Sequence, residues 1–222
     1  MNLTMKQTEL QDDLVLQYLV KPATQEVSKK KAIILLHGVG SNEADLFSLA
    51  PLLPAEFIVI SARGPVTLGS GRYAWYEVDF SSGKPAINAG QEKQSRERIL
   101  EFVEQVKQKY SLDEVYLGGF SQGAIMSYSL GLLHPGTITG VVALSGRILQ
   151  EIRPEVKPGK DVENLKVFIA HGTQDGTLPV HYAREAKEYL QQLQVTPACF
   201  EYNGGHQITQ EVLTNLANWL QK

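Results

Sequence analysis

Short aliphatic runs alternate along this chain with polar segments whose apolar residues recur at helical spacing. Residues 32–36, Ala-Ile-Ile-Leu-Leu, lie between Lys31 and His37-Gly38, the pattern of a strand buried on both faces of a parallel sheet. Residues 57–60, 114–117, 140–144, 167–170 and 198–202 read as further strands, and 14–20 alternates like an edge strand. Between them, Ser41-Asn42-Glu43-Ala44-Asp45 opens a helix, with Phe47, Leu49 and Leu52 supplying its apolar contacts before Pro54. Residues 92–110 set Ile99, Phe102, Val103 and Val106 at helical spacing among charges. Helices are also predicted over 124–133, ending near His134-Pro135-Gly136, and over 182–193 and 207–220. Lys29-Lys30-Lys31 reads as a solvated turn and 153–164, with its prolines, as an exposed loop.

Residues 66–91 run for about 25 positions without a helical period, which is long for a connection and marks a functional loop or a small hairpin. This segment holds Tyr73, Trp75, Tyr76 and Phe80, and Ser82-Gly83 is its turn signal. No internal repeat is visible. Strands alternating with helices imply an α/β fold with a mostly parallel central sheet covered on both faces, spanning residues 1–222 as one domain. In such sheets ligands bind outside the carboxyl ends of the strands.

Composition narrows the function more than the fold. With 43% hydrophobic and 20% charged residues the chain suits a well-buried core. A net charge of −3 provides no basic stripe, so nucleic acid and anionic membranes are not expected partners. The single cysteine, Cys199, allows no internal disulfide and suits a reducing cytoplasm; in Ala198-Cys199-Phe200 it reads as a small core residue of a strand. The polar first 13 residues resemble no secretory leader, and no apolar run is long enough to span a bilayer. A cytoplasmic location and a small-molecule ligand are the resulting expectations.

The candidate chemistry centres on Gly119-Phe120-Ser121-Gln122-Gly123. This is a G-x-S-x-G pattern between a buried strand and an apolar helix, the setting of a nucleophile elbow. Glycines at 119 and 123 permit the close approach of strand and helix, whereas the plainer alternative is a Gly-rich turn with a helix-capping serine. An activated serine needs a base and an orienting carboxylate, which in this fold class follow it in the order acid, then histidine. His37 precedes the serine and His134 lies just beyond its helix, while His171 and His181 crowd the candidate acid. His206 remains, in Asn203-Gly204-Gly205-His206, before the last helix. Asp175 follows a buried strand, whereas Asp161 lies in the polar Pro-containing stretch, so Asp175 is the candidate acid. Backbone N–H groups of Gln122 and Val39 are the expected oxyanion donors, with His37 and Gly38 shaping the loop that carries Val39. None of the 5 histidines pairs with another at metal-ligand spacing, so no metal is expected.

These motifs, with Leu144-Ser145-Gly146-Arg147 and His171-Gly172-Thr173-Gln174-Asp175, resemble over about residues 15–220 the phospholipase/carboxylesterase family of α/β-hydrolases, which includes the acyl-protein thioesterases. The resemblance implies an α/β-hydrolase fold without a large cap domain and a Ser121–His206–Asp175 triad. It further implies hydrolysis of carboxylic esters or thioesters without a cofactor. Trp75 matches the family's loop aromatic beside the acyl pocket, and Gly146-Arg147 resembles the bacterial carboxylesterase branch more than the depalmitoylating enzymes. The expected substrate is an ester of small to medium acyl length, lysophospholipids and thioesters included. Acyl-protein thioesterase, serine peptidase or acyltransferase, and a catalytically silent binding module are the alternatives; the oligomeric state stays open, a homodimer included.

Overall fold

The computed structural model describes residues 9–79, 81 and 86–222. Its centre is a sheet of 7 strands in the order β1 (Tyr18–Lys21), β3 (Phe57–Ala62), β2 (Lys31–Leu36), β8 (Glu114–Phe120), β9 (Gly140–Leu144), β10 (Lys166–Gly172), β11 (Ala198–Tyr202). β1 runs antiparallel to β3, and every other pairing in this sheet is parallel. The unbroken aliphatic run of β2 follows from burial on both faces. Ala32, Ile34 and Leu36 point into one core, and Ile33 and Leu35 into the other, each large side chain contributing about 1.5–3 kcal/mol by leaving water.

The first core is closed by α2 (Ala89–Tyr110), α3 (Gln122–Leu133) and α5 (His181–Gln192), and the second by α1 (Glu43–Phe47) and α6 (Gln210–Leu220). α3 has almost no polar face because it is enclosed by the sheet and α2, whereas α2 buries only the stripe containing Ile99, Phe102, Val103 and Val106. Parallel register brings Leu36, Phe120, Leu144, Gly172 and Tyr202 to one edge of the sheet. The loops that follow those residues hold the candidate chemistry.

Several expectations are corrected. The edge strand begins at Tyr18 rather than at residue 14, because Gln11 bridges to Tyr18 and the chain turns between them. α1 starts one residue after its Asn42 cap and spans only Glu43–Phe47. Leu46, Ala50 and Leu53 give that region its burial, while Leu52 is 46% exposed. Within 66–91 a hairpin that the turn signal did not mark joins β4 (Val66–Gly69) to β5 (Arg72–Ala74), where Gly69 and Gly71 take positive φ. Phe80 and Ser82-Gly83 lie outside the described residues; β6 (Val78–Asp79) and β7 (Ala86–Ile87), on either side, pair antiparallel.

The stretch read as an exposed loop over 153–164 contains a 3₁₀ turn at Arg153–Glu155 and a short helix, α4 (Lys160–Glu163). Val162 drives this by packing into the first core. Cys199 is exposed rather than core: β11 is the outer strand of the sheet, and position 199 falls on the phase that its neighbours leave open. Among the described residues no helix is long and apolar enough to cross a membrane.

Candidate active site

Ser121 sits where β8 turns into α3, with φ 56° and ψ −115°, a conformation sterically costly for a residue with a side chain. The flanking glycines make the turn feasible. A Cβ at position 119 would lie 2.5 Å from the Leu36 carbonyl oxygen, and one at 123 would lie closer still to that atom. Ser121 makes no side-chain cap to α3, so the helix-capping alternative finds no bond to support it. Its residual exposure is 8%.

Asp175 lies in the turn after β10 and is almost wholly buried. Its Oδ1 accepts from the Thr177 and Leu178 amides, each at 2.8 Å, and its Oδ2 accepts from His206 Nδ1 at 2.7 Å. Burial alone would raise the carboxyl pKa, but the His206 bond and the Leu178 and Thr177 amides outweigh it and hold Asp175 below its ordinary value. A donor on Nδ1 leaves His206 Nε2 as the nitrogen able to accept a proton. The imidazole packs against Phe120, ring centroids 4.6 Å apart, and Phe120 directly precedes Ser121. No hydrogen bond joins the Ser121 hydroxyl to His206, a contact that in serine hydrolases often tightens only as substrate binds. The structure therefore brings acid and base into contact and sets the serine one residue beyond the ring that supports the base.

The loop after β2 is braced from several directions. Gly40 N–H donates to Tyr73 O and Ser41 N–H to Gly38 O, while Val39 N–H takes no partner among the described residues. Gln122, first residue of α3, carries one of the N–H groups that a helix leaves without an intrahelical acceptor. His37 donates from Nδ1 to Gly38 O at 2.7 Å and accepts at Nε2 from Gly64 N at 3.0 Å. Both bonds require the neutral ring, and burial lowers its pKa accordingly. Gly38 has a different role from the elbow glycines. A Cβ there would make ordinary contact, 3.5 Å from Ser121 Cβ, so its missing side chain leaves open the space in front of the serine.

Trp75 does not face that space. Its ring is 0% exposed, its indole N–H donates to His37 O at 2.9 Å, and its own amide donates to Gln122 Oε1 at 2.9 Å. This placement gives no support to the expectation that Trp75 walls an acyl pocket: the residue pins the aromatic loop to the core behind the site.

Some supporting residues escape sequence reasoning. The Gln122 side chain, read only for its amide, accepts from Trp75 N and donates from Nε2 to Tyr76 O at 2.7 Å, clamping the 66–79 segment to the elbow. His171 is buried at the end of β10; its Nε2–H donates to Leu178 O at 2.6 Å and lies 3.4 Å from Asp175 Oδ2. Burial lowers the His171 pKa, and its Nδ1 has no partner among the described residues, so the neutral ring holds the turn whose amides hold Asp175. The Tyr202 hydroxyl donates to the carbonyl of Gln207, next to His206, and lies 3.5 Å from the hydroxyl of Ser145, itself at φ 50°. The only sequence signal for these roles is polarity at the carboxyl end of a buried strand. Among the described residues, no three of His, Cys, Asp or Glu gather as a metal-ligand set.

A model of the phospholipase/carboxylesterase family matches residues 20–222. Acyl-protein thioesterase 1 of Kluyveromyces lactis is 28% identical over 220 residues, covering 91% of this chain and 96% of that protein. Acyl-protein thioesterase 1 of Candida albicans is 30% identical over 218 residues, covering 87% and 92%. Among solved structures, the carboxylesterase from Mesorhizobium loti superposes with a TM-score of 0.82 at 22% identity, covering 96% of this chain and 98% of that one. The Bacillus cereus carboxylesterase gives 0.78 at 24% identity, covering 93% of each chain. These likenesses carry the α/β-hydrolase fold.

Proposed function

The chain belongs to the phospholipase/carboxylesterase family, and within it we propose a cofactor-independent serine hydrolase that cleaves carboxylic esters of small to medium acyl length. Ser121 Oγ attacks the ester carbonyl as His206 Nε2 takes its proton, while Asp175 keeps the imidazole in the Nδ1–H tautomer and stabilises its charged form. The tetrahedral oxyanion is met by the Val39 and Gln122 amides. His206 then returns the proton to the leaving alcohol. Water, activated by the same histidine, clears the acyl-enzyme.

The observation that carries this reading is the 2.7 Å His206–Asp175 bond, with the second carboxylate oxygen held by two amides, beside a serine in a strained backbone conformation. Backbone strain costs stability, and a binding module has no use for it beside a paired acid and base. The carboxylesterase reading extends to a cytoplasmic enzyme, monomeric or homodimeric, acting on small esters. Thioester cleavage is the second reading, favoured by the acyl-protein thioesterase names of the two fungal relatives.

Hydrolysis of a short-chain chromogenic ester by the wild type, His206→Ala and Asp175→Asn tests the assignment. The account expects kcat to fall by about 10⁴ to 10⁶ for the histidine variant and somewhat less for the aspartate variant. A His206→Ala protein that keeps more than about a tenth of wild-type activity would place the base elsewhere.

A further inference from the structure

Beside the imidazole of His206 lies a cleft of about 280 Å³ whose apolar lining is Leu46, Leu49, Phe120 and Ile208. These side chains belong to the core closed by α1 and α6 or pack against it, whereas Trp75 and Tyr76 belong to the core on the opposite face of the sheet. The cleft and the aromatic loop are thus separate environments. Its rim is polar, formed by exposed Asp45, Ser48 and Gln207, and the Asp45 carboxylate accepts from Ser41 Oγ at 2.7 Å.

Ester cleavage at Ser121 constrains what can occupy this place. As the bond from Ser121 Oγ to the acyl carbon forms and the carbonyl–alkoxy bond breaks, the serine proton held by His206 passes to the alkoxide, and the alcohol departs. The first atoms of the alcohol therefore lie against His206 whatever the acyl group is. A cleft that begins at His206 is placed for that half of the substrate.

We propose that this cleft binds the alcohol part of the ester, and that Leu49 and Ile208 contact the short carbon chain of a neutral alcohol; the inference rests on the hydrolase reading above. The volume is at the lower end for a ligand pocket and suits a fragment rather than a long lipid tail. Asp45 at the rim disfavours leaving groups that carry phosphate or carboxylate. Lysophospholipids, whose leaving group is a phosphodiester, are poor substrates on this account.

Two series of esters separate the alcohol side from the acyl side: acetates of methanol to hexanol, and methyl esters of acetic to hexanoic acid, followed by pH-stat titration. All acetates share one acetyl-enzyme, so wherever its hydrolysis limits turnover kcat stays level and preference for the alcohol shows in kcat/KM. Along the acetates kcat/KM should rise about twofold per methylene for a half-buried chain and about fourfold for a fully buried one. Leu49→Ala and Ile208→Ala, on different elements, should flatten that rise while leaving the slope of the acyl series intact. Ser48→Trp, at an exposed position, should narrow the cleft and penalise hexyl acetate more than methyl acetate. A flat acetate series in a wild type that hydrolyses both sets, or variants that depress both slopes alike, would overturn the cleft assignment and leave the hydrolase reading standing. Hydrolysis of neither series, or hydrolysis retained by Ser121→Ala, would overturn both.

Discussion

Replacing Trp75 by alanine tests whether this residue holds the core or faces substrate. The ring is fully buried, and deleting a buried tryptophan typically costs about 3–5 kcal/mol through lost transfer energy and the cavity left behind. The His37 carbonyl, which accepts the indole N–H at 2.9 Å, loses that partner as well, a further cost of about 1 kcal/mol or more for a buried acceptor. The sum, about 4–6 kcal/mol, is a large share of the roughly 5–15 kcal/mol that keeps a domain folded. For a chain of this size it lowers Tm by on the order of 10–20 °C. Trp75→Phe keeps most of the volume and forfeits the hydrogen bond, so it should fall between the wild type and alanine. Urea unfolding followed by circular dichroism measures the stability term, and an acyl-length series from acetyl to octanoyl measures any contact with substrate. Activity of Trp75→Ala at low temperature should drop by a similar factor for every acyl length, because the side chain acts through the His37 loop and Gln122. Stability within about 1 kcal/mol of wild type, with losses that grow along the series, would refute the assignment.

The elbow admits no side chain at its second glycine: Gly123→Ala, which sets a Cβ against the Leu36 carbonyl, should unfold the protein or abolish activity, and a stable, active variant on thermal melting contradicts the geometry. Lost interactions around His171 should act on the chemistry more than on binding, because its Nε2–H bond to Leu178 O holds the turn that presents Asp175. His171→Ala should lower kcat by about tenfold to a hundredfold with little change in KM, whereas a loss confined to KM argues against this positioning role. Stability should fall in acid through Asp175. Its folded pKa lies below the ordinary value of 3.8, so its contribution is complete above that value and disappears as pH drops through the lowered folded pKa. Asp175→Asn should accordingly flatten the acid limb of stability against pH, and an unchanged limb would show that the carboxylate is not held as described.

Much of the sheet is legible in the sequence because burial on both faces leaves no polar phase. The segment 140–144 coincides with the observed strand and 32–36 differs by one residue, and 198–202 coincides too although its outer strand is open on one phase. The elbow is legible for a related reason, since only paired glycines allow Leu36 to approach so closely, and glycines are visible in a sequence. What stays hidden depends on partners far along the chain. Trp75 in a polar loop looks the same whether it faces inward or outward, and the decisive acceptor, the carbonyl of His37, is 38 residues away. Cys199 illustrates the same limit at the sheet margin: alternation reveals a half-buried strand, but only the position of β11 as the outer strand decides which phase is exposed. α4 is too short for a helical period to register, and tertiary burial of Val162 fixes it. In the sequence His171 is separable from His206 only by its closeness to the candidate acid, because its role comes from a turn that folds Leu178 O back onto it.

Covalent capture of the acyl-enzyme route tests the central claim most directly. Treatment with a serine-directed organophosphate, followed by intact-mass and peptide mass spectrometry, should show one adduct, located on the peptide that contains Ser121, with ester hydrolysis lost in step with labelling. The Ser121→Ala protein should remain folded, unlabelled and inactive. Undiminished hydrolysis after stoichiometric labelling of Ser121, or an adduct on another serine that accompanies the loss of activity, would contradict the account.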